Sequence, residues 1–256
     1  MRNYSYEYLV DYSFSPPVEL HFWKIRAIPC ECAFQHLLEH SLTISPESTI
    51  LESIDGMGNR VEYGDSCFSH DHFLIKSTGM VTCTPYVLPE KNPNDIYLYP
   101  SPLTRWDDHL AQWAQGKNAT QLMTEVYERI EYCAGTTCNH TSALEVFKER
   151  KGVCQDYAHL LVAACRAAGI RARYVNGLTI GEGQTHAWVE AYEDGQWIGL
   201  DPTAGKRIEY DYIKIAHGRD VGDCPSNRGC IRPFTCEKMN VHVHVKSLPA
   251  INSSLL

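Results

Sequence analysis

The chain has 256 residues, 44% of them apolar and 21% charged, which allows one large domain or two small ones and excludes wholesale disorder. A net charge of −8 with scattered Lys and Arg excludes an extended phosphate-binding face, so nucleic acid is not an expected partner. No apolar run approaches the roughly 18 residues that span a bilayer and the N-terminus has no apolar leader core, so the expected location is cytoplasmic, with no membrane partner.

Residues 1–100 read as β-rich. Tyr4, Tyr6 and Tyr8 alternate with Ser5 and Glu7, as on a half-buried strand, and Pro16-Pro17 is read as a break. Val18, Leu20 and Phe22 alternate with Glu19, His21 and Trp23. Ile54 to Asn59 reads as a turn before a strand at Val61-Glu62-Tyr63, and Leu74 to Val87 as two strand-like runs around Gly79. Short strands at this spacing predict an antiparallel sandwich or barrel. Residues 89–102 carry Pro89, Pro93, Pro100 and Pro102 and read as a linker, dividing the chain into a β-rich domain at 1–100 and a second domain at 101–256.

The second half opens with helical patterns. Leu103, Trp106, Leu110, Trp113 and Ala114 are helically spaced over 103–115, and Leu122, Val126, Ile130 and Cys133 form a stripe over 119–134 that Gly135 would stop. Ser142 and Glu145 fit a capping box for a shorter helix through Arg150. A fourth helix is predicted to begin near Val153-Cys154, with Ala158, Leu161, Val162 and Cys165 on its apolar stripe and Gly169 at its end. Strands follow over 172–180, 184–192 and 196–201, and Glu193-Asp194-Gly195 is a hairpin signal between the last two.

Cys154 at a helix start is well placed for chemistry. Unpaired N–H groups and positive potential there stabilise a thiolate and can also hold an oxyanion, and Gly152 lets a reacting group approach the backbone. Taken alone, Cys154 reads more readily as a buried structural cysteine than as a nucleophile. The hairpin adds two residues. If Asp194-Gly195 is a two-residue turn, Glu193 faces Gln196 and Asp201 lies opposite Trp188. His186, Trp188 and Asp201 then share one face, with His186 and Asp201 diagonal neighbours about 7–8 Å apart at Cα. A carboxylate there can orient the imidazole and stabilise its cation. A one-residue slip of register would undo this.

Four blocks resemble a known family. Gly152-Val153-Cys154-Gln155-Asp156-Tyr157-Ala158-His159 resembles the nucleophile motif of bacterial transglutaminase-like proteins, and Gly169-Ile170-Arg171-Ala172-Arg173-Tyr174-Val175 the strand after it. Thr185-His186-Ala187-Trp188-Val189-Glu190 and Trp197-Ile198-Gly199-Leu200-Asp201-Pro202-Thr203 resemble its His and Asp blocks, and Tyr132 and Thr141-Ser142-Ala143-Leu144-Glu145 also fit. The match covers about residues 125–235, and the β-rich half resembles the accessory domain often found before this core. The resemblance implies an α+β fold: a papain-like core, with the nucleophile helix packed on an antiparallel sheet, and a triad of Cys154, His186 and Asp201. It implies thiolate attack on an amide or ester carbonyl, resolved by water in peptidases and amide hydrolases or by an amine in transamidases and amide-forming enzymes.

The expected substrate is a peptide or small amide, with hydrolysis ahead of transamidation; a non-catalytic binding module is a third reading, disfavoured by the intact trio. Oligomeric state is left open. Gln155 and Trp188 are candidate substrate-binding residues beside the triad, and Asp156 is read as a helix cap. No cofactor is expected. Cys224, Cys230, Cys236, His242 and His244 are zinc-ligand types, but they lack the short Cys-x-x-Cys clip, and no EF-hand run is present, so metal-independent activity is expected. Cys30 and Cys32, with one residue between them, read as free thiols.

Overall fold

The computed structural model describes residues 1–249, and of Cys236 the backbone alone. Strand β1 (Arg2–Val18) turns Tyr4, Tyr6, Tyr8 and Val10 inward, as the alternation predicts. It does not end at Pro16-Pro17. The strand runs on to Val18 through a shift of register after Ser13, and the prolines, which have no N–H to donate, sit in that irregularity. In β2 (Leu20–Ile25), which lies in another sheet, His21, Trp23 and Ile25 are buried, and Phe22 is 52% exposed.

Next come β3 (Gln35–Ser45), β4 (Leu51–Ile54), β5 (Arg60–Ser66) and β6 (His70–Cys83). Gly79 lies inside β6 and makes no turn. It pairs with Tyr6 of β1, whose ring covers it, and a Cβ at this point would lie 2.9 Å from that ring and 2.2 Å from the Glu39 carbonyl oxygen. The proline-rich stretch is packed against the core. β7 (Val87–Pro89) pairs with a strand at 196–201, a 3₁₀ turn spans Asp95–Leu98, and Tyr97 is buried edge-on to Trp197 at 5.5 Å.

Helix α1 covers only Asp108–Ala114, because Asp107 accepts from the Leu110 N–H and so starts the helix there. Helix α2 (Ala119–Arg129) stops short of Gly135. The Ile130 carbonyl accepts from the Tyr157 hydroxyl, and Glu131–Tyr132 forms a two-residue strand, β8. Helix α3 (Ala143–Glu149) has the predicted Ser142–Glu145 capping box. β9 (Lys151–Gly152) pairs in parallel with β8 and leads into α4 (Cys154–Ala167), which is buried on all sides from Asp156 to Arg166. Gly169, at φ 79°, ends it, and the Ile170 N–H closes back on the Cys165 carbonyl at 2.8 Å.

The remaining strands are β10 (Ala172–Thr179), β11 (Gly181–Gly183), β12 (His186–Glu193), β13 (Gln196–Asp201), β14 (Lys206–Arg207), β15 (Tyr212–Gly218), β16 (Asn227–Arg232) and β17 (Cys236–Leu248). A six-stranded sheet, in the order β14-β13-β12-β10-β15 with β7 beside β13, carries α4 on β12 and β10. The strands at the two ends of the chain build a sandwich. A five-stranded sheet, β11-β17-β1-β6-β3, meets a four-stranded sheet, β16-β2-β5-β4, through contacts such as His21 with Phe73, ring centroids 4.4 Å apart. The fold is α+β, and its β-rich part is a sandwich. Residues 227–248 add no strand to the helix-bearing sheet, where the expected division at residue 101 would put them, although β17 touches β10. They pair with β1 and β2, whose free edges they cover, so the core is inserted into the sandwich.

Candidate active site

Cys154 is the first residue of α4 and is partly exposed. The turn before it is held by Asp156, whose Oδ2 accepts from the Val153 N–H at 2.8 Å and from the Thr137 hydroxyl at 2.7 Å. Burial raises the Asp156 pKa against those two hydrogen bonds. Gly152 is required by this closure, since a Cβ there would lie 2.6 Å from the Asp156 side chain. The Cys154 and Gln155 N–H groups precede the first i→i−4 hydrogen bond, made by Tyr157 to the Val153 carbonyl at 3.1 Å, and present the positive end of the helix beside the sulfur.

The hairpin between β12 and β13 has the predicted register. Glu193 pairs with Gln196 and Val189 with Leu200, and both turn residues take positive φ, Asp194 at 50° and Gly195 at 82°. His186 and Asp201 therefore meet: Nε2 of His186 donates to Oδ2 of Asp201 at 2.8 Å, which leaves Nδ1 to face the Cys154 thiol. Asp201 is almost wholly buried. Its Oδ2 also accepts from the Tyr212 hydroxyl, and its Oδ1 from the Thr203 N–H at 2.8 Å and the Ala204 N–H at 3.1 Å. Burial works against the Asp201 charge, but His186, Tyr212 and these backbone donors hold its carboxyl below the usual range. Burial likewise works against a charged His186. The hydrogen bond to Asp201 and the contact with Cys154 outweigh it and raise the imidazole from 6.5 to about 9. An imidazolium facing a cysteine at a helix start, with an ionised carboxylate behind it, can hold and use a thiolate.

The two candidate substrate-binding residues part company. Cys154 and His186 line a cleft of about 420 Å³ together with Tyr132, Gly183 and Thr185. Thr185 also borders a second depression of about 430 Å³, walled by Gln155 of the core and by Tyr8, Arg228 and Met239 of the sandwich. Gln155 thus borders the second depression and not the cleft that Cys154 and His186 line. Trp188 lines neither: it has no exposed surface and packs beneath His186, ring centroids 6.4 Å apart, with Tyr212 edge-on to it at 5.3 Å. Sharing the His186 face puts it one layer deeper in the sheet, out of reach of a substrate.

Behind Trp188 lies a buried ionic cluster. Trp188 Nε1 donates to the Tyr86 hydroxyl and Tyr86 to Glu190, which also accepts from Arg173 and, at 2.7 and 2.8 Å, from Lys214 Nζ. Burial works against the Glu190 charge, but Arg173 and Lys214 hold its carboxyl far below the usual range. This cluster and Tyr212 escape a reading centred on the triad. The sequence does carry a signal for the cluster: Arg173, Glu190 and Lys214 each interrupt an otherwise apolar strand.

Among the described residues, no three His, Cys, Asp or Glu side chains converge in a way that could hold a metal ion. Cys224 is buried and Cys230 exposed, while the Cys236 side chain lies outside the described residues. No described helix is long and apolar enough to cross a membrane.

A cysteine at the N-terminus of a buried helix, facing a His–Asp pair on an antiparallel sheet, defines a papain-like α+β fold of the transglutaminase type. The description "Transglutaminase-like superfamily" matches residues 104–202, and "Bacterial transglutaminase-like N-terminal region" matches residues 4–82. The chain belongs to the transglutaminase-like superfamily. It is 27% identical over 281 aligned positions to an uncharacterized protein of Mycobacterium tuberculosis, covering 90% of this chain and 88% of that one. It is 38% identical over 80 residues to a protein-glutamine gamma-glutamyltransferase of Pseudomonas aeruginosa, covering 25% of this chain and 12% of that one. The solved structure of a candidate cysteine protease from Cytophaga hutchinsonii superposes with a TM-score of 0.81 at 26% identity, covering 98% of this chain and 92% of that one.

Proposed function

We propose that this chain is a cysteine-dependent amide hydrolase or peptidase that works through a thioester acyl-enzyme on a peptide or small amide. The observation that carries the reading is geometric: His186, hydrogen-bonded through Nε2 to the buried Asp201 at 2.8 Å, lines one cleft with Cys154 at the start of α4. In this reading the Cys154 thiolate attacks the carbonyl carbon. The new S–C bond sends the carbonyl π electrons to oxygen, and the Cys154 N–H donates a hydrogen bond to that oxyanion. Collapse breaks the C–N bond as His186 delivers its proton to the leaving amine. Neutral His186 then takes a proton from water, which attacks the thioester carbonyl and releases the acid and the thiolate. Asp201 keeps the imidazole oriented and its cation stable throughout. Gln155 and the depression beyond Thr185 take part of the substrate away from the scissile bond.

The likeness to the Pseudomonas transferase over 80 aligned residues favours a second reading, in which an amine rather than water resolves the same thioester. Labelled peptide amides, incubated with and without a primary amine and followed by mass spectrometry, divide the two. Hydrolysis gives the free acid in both mixtures, and transamidation gives an amine adduct. Cys154→Ala abolishes either product. A wild type whose product yield matches that of Cys154→Ala sinks both.

A further inference from the structure

Surfaces of opposite charge flank the nucleophile pair. The cleft that Cys154 and His186 line carries the exposed Glu182, 3.7 Å from His244. The depression beyond Thr185 is different. Gln155, the residue after Cys154, and Thr185, the residue before His186, both border it, so it begins next to the reacting groups. Among its described lining residues none is Asp or Glu. Its arginine, Arg228, is exposed on β16 and makes no ion pair among the described residues, whereas Arg2, Arg26, Arg60, Arg171, Arg173 and Arg219 all do. Hydroxyl donors line the depression too. Tyr8, 1% exposed, reaches it from the sandwich. Ser226 borders it with its oxygen held by the buried Asn176 amide at 2.7 Å, which leaves the Ser226 proton to be donated onward. A guanidinium without a partner, hydroxyl donors and no opposing acid are the chemistry that holds a carboxylate. With a net charge of −8 the chain as a whole repels anions, so a preference for one has to come from a local cation.

We propose that this depression is a carboxylate subsite, in which Arg228, with the Tyr8 and Ser226 hydroxyls, takes a carboxylate that the substrate carries near its scissile amide. This rests on the acyl-enzyme reading and narrows its substrate class to acidic amides, with the acid on an Asp or Glu side chain or at a chain end. Glu182 repels the same carboxylate from the other side of the pair, so the charge pattern also sets which way the substrate lies across Cys154.

Short blocked peptides in matched sets test the subsite. One set carries Asp or Asn at successive positions on either side of a central Ala-Ala amide, and the other ends in a carboxylate or a carboxamide, which separates a side-chain acid from a chain end. Binding is read on Cys154→Ala, which cannot turn the peptides over, and cleavage on the wild type. The best acidic peptide should bind Cys154→Ala about tenfold more tightly than its neutral twin, with a smaller ratio in added salt. In that background Arg228→Lys should keep a preference for the acid, Arg228→Met should cut the ratio to less than about threefold, and Arg228→Glu should turn it below one. Equal binding of acidic and neutral peptides overturns the proposal, and so does a preference that survives Arg228→Glu. Binding that prefers the acid, with no more cleavage by wild type than by Cys154→Ala, sinks the acyl-enzyme reading and leaves the carboxylate subsite standing. Cys154-dependent cleavage without an acid preference does the reverse.

Discussion

Trp188 donates its indole N–H to the hydroxyl oxygen of Tyr86 at 2.8 Å, linking a strand of the catalytic sheet to the segment that leaves the N-terminal sandwich. Tyr86 is itself stacked on Phe34, ring centroids 3.9 Å apart, and donates to Glu190. The ring beneath His186 is therefore clamped from behind. Trp188→Phe removes the clamp and leaves a void beside Gly177, whose α-carbon already has no room for a methyl against the indole. The expected cost is about 1–3 kcal/mol in urea unfolding, with a drop in kcat of about tenfold as His186 loosens. Wild-type stability in this variant would show that the clamp carries no load.

The state of His186 gives a pH prediction. Its folded pKa, raised from 6.5 to about 9, means that its contribution to stability is fully present below about 6.5 and is lost as pH rises through about 9. Asp201, held below its ordinary value of 3.8, contributes above that value and loses its contribution as pH falls through the lower folded value. The His186 ring proton should titrate near 9 by NMR, and kcat/KM for an amide should decline on the same limb. Asp201→Asn should move this titration down toward 6.5 and lower kcat by roughly 10³–10⁴-fold. A ring titration at 6.5 in the wild-type protein would contradict the ion-pair picture.

Glu190 has no exposed surface and balances two buried cations, Arg173 and Lys214. Glu190→Gln keeps the shape and removes the charge, leaving both cations uncompensated. Chemical denaturation should show a loss of about 3–5 kcal/mol, while Lys214→Met with Glu190→Gln together should lose less than Glu190→Gln alone. Because the Glu190 carboxyl is held low, its stabilising effect is present above the usual carboxylate range and is lost as pH falls well below it. Additive losses in the double variant would show that the two residues do not interact.

Gly79→Ala tests the sandwich apart from the triad. A methyl 2.2 Å from the Glu39 carbonyl and 2.9 Å from the Tyr6 ring forces β3 and β1 apart. Thermal unfolding should report a loss of about 1–3 kcal/mol, with the iodoacetamide rate at Cys154 unchanged.

The triad was legible because each of its parts is set locally. Gly152 and the apolar spacing announce the start of α4, and Asp194-Gly195 fixes the register that brings His186 to Asp201. Trp188 is buried where a cleft wall is expected, because period-two alternation gives a face and not a depth. On this sheet the position beside His186 is covered by Tyr212, from a strand paired through β10 and not through β12. The faces of β2 go with its pairing to β5 and β16, which alternation along the strand does not show. The helix predicted to reach Ala134 gives way because the Ile130 carbonyl and Tyr132 find partners in Tyr157 and Gly152, contacts between segments far apart in sequence. The same distance hid the return of β16 and β17 to the N-terminal strands, since edge pairing leaves no local mark.

That return also sets an order of assembly. β11 borders the nucleophile cleft through Gly183, and in its sheet it pairs with β17. On the ribosome, Cys154, His186 and Asp201 all emerge before β17 does, so the thiol can meet its base while one wall of its groove is still missing. That wall closes only when the sandwich captures the later strand, so completion of the groove beside Cys154 waits on β17.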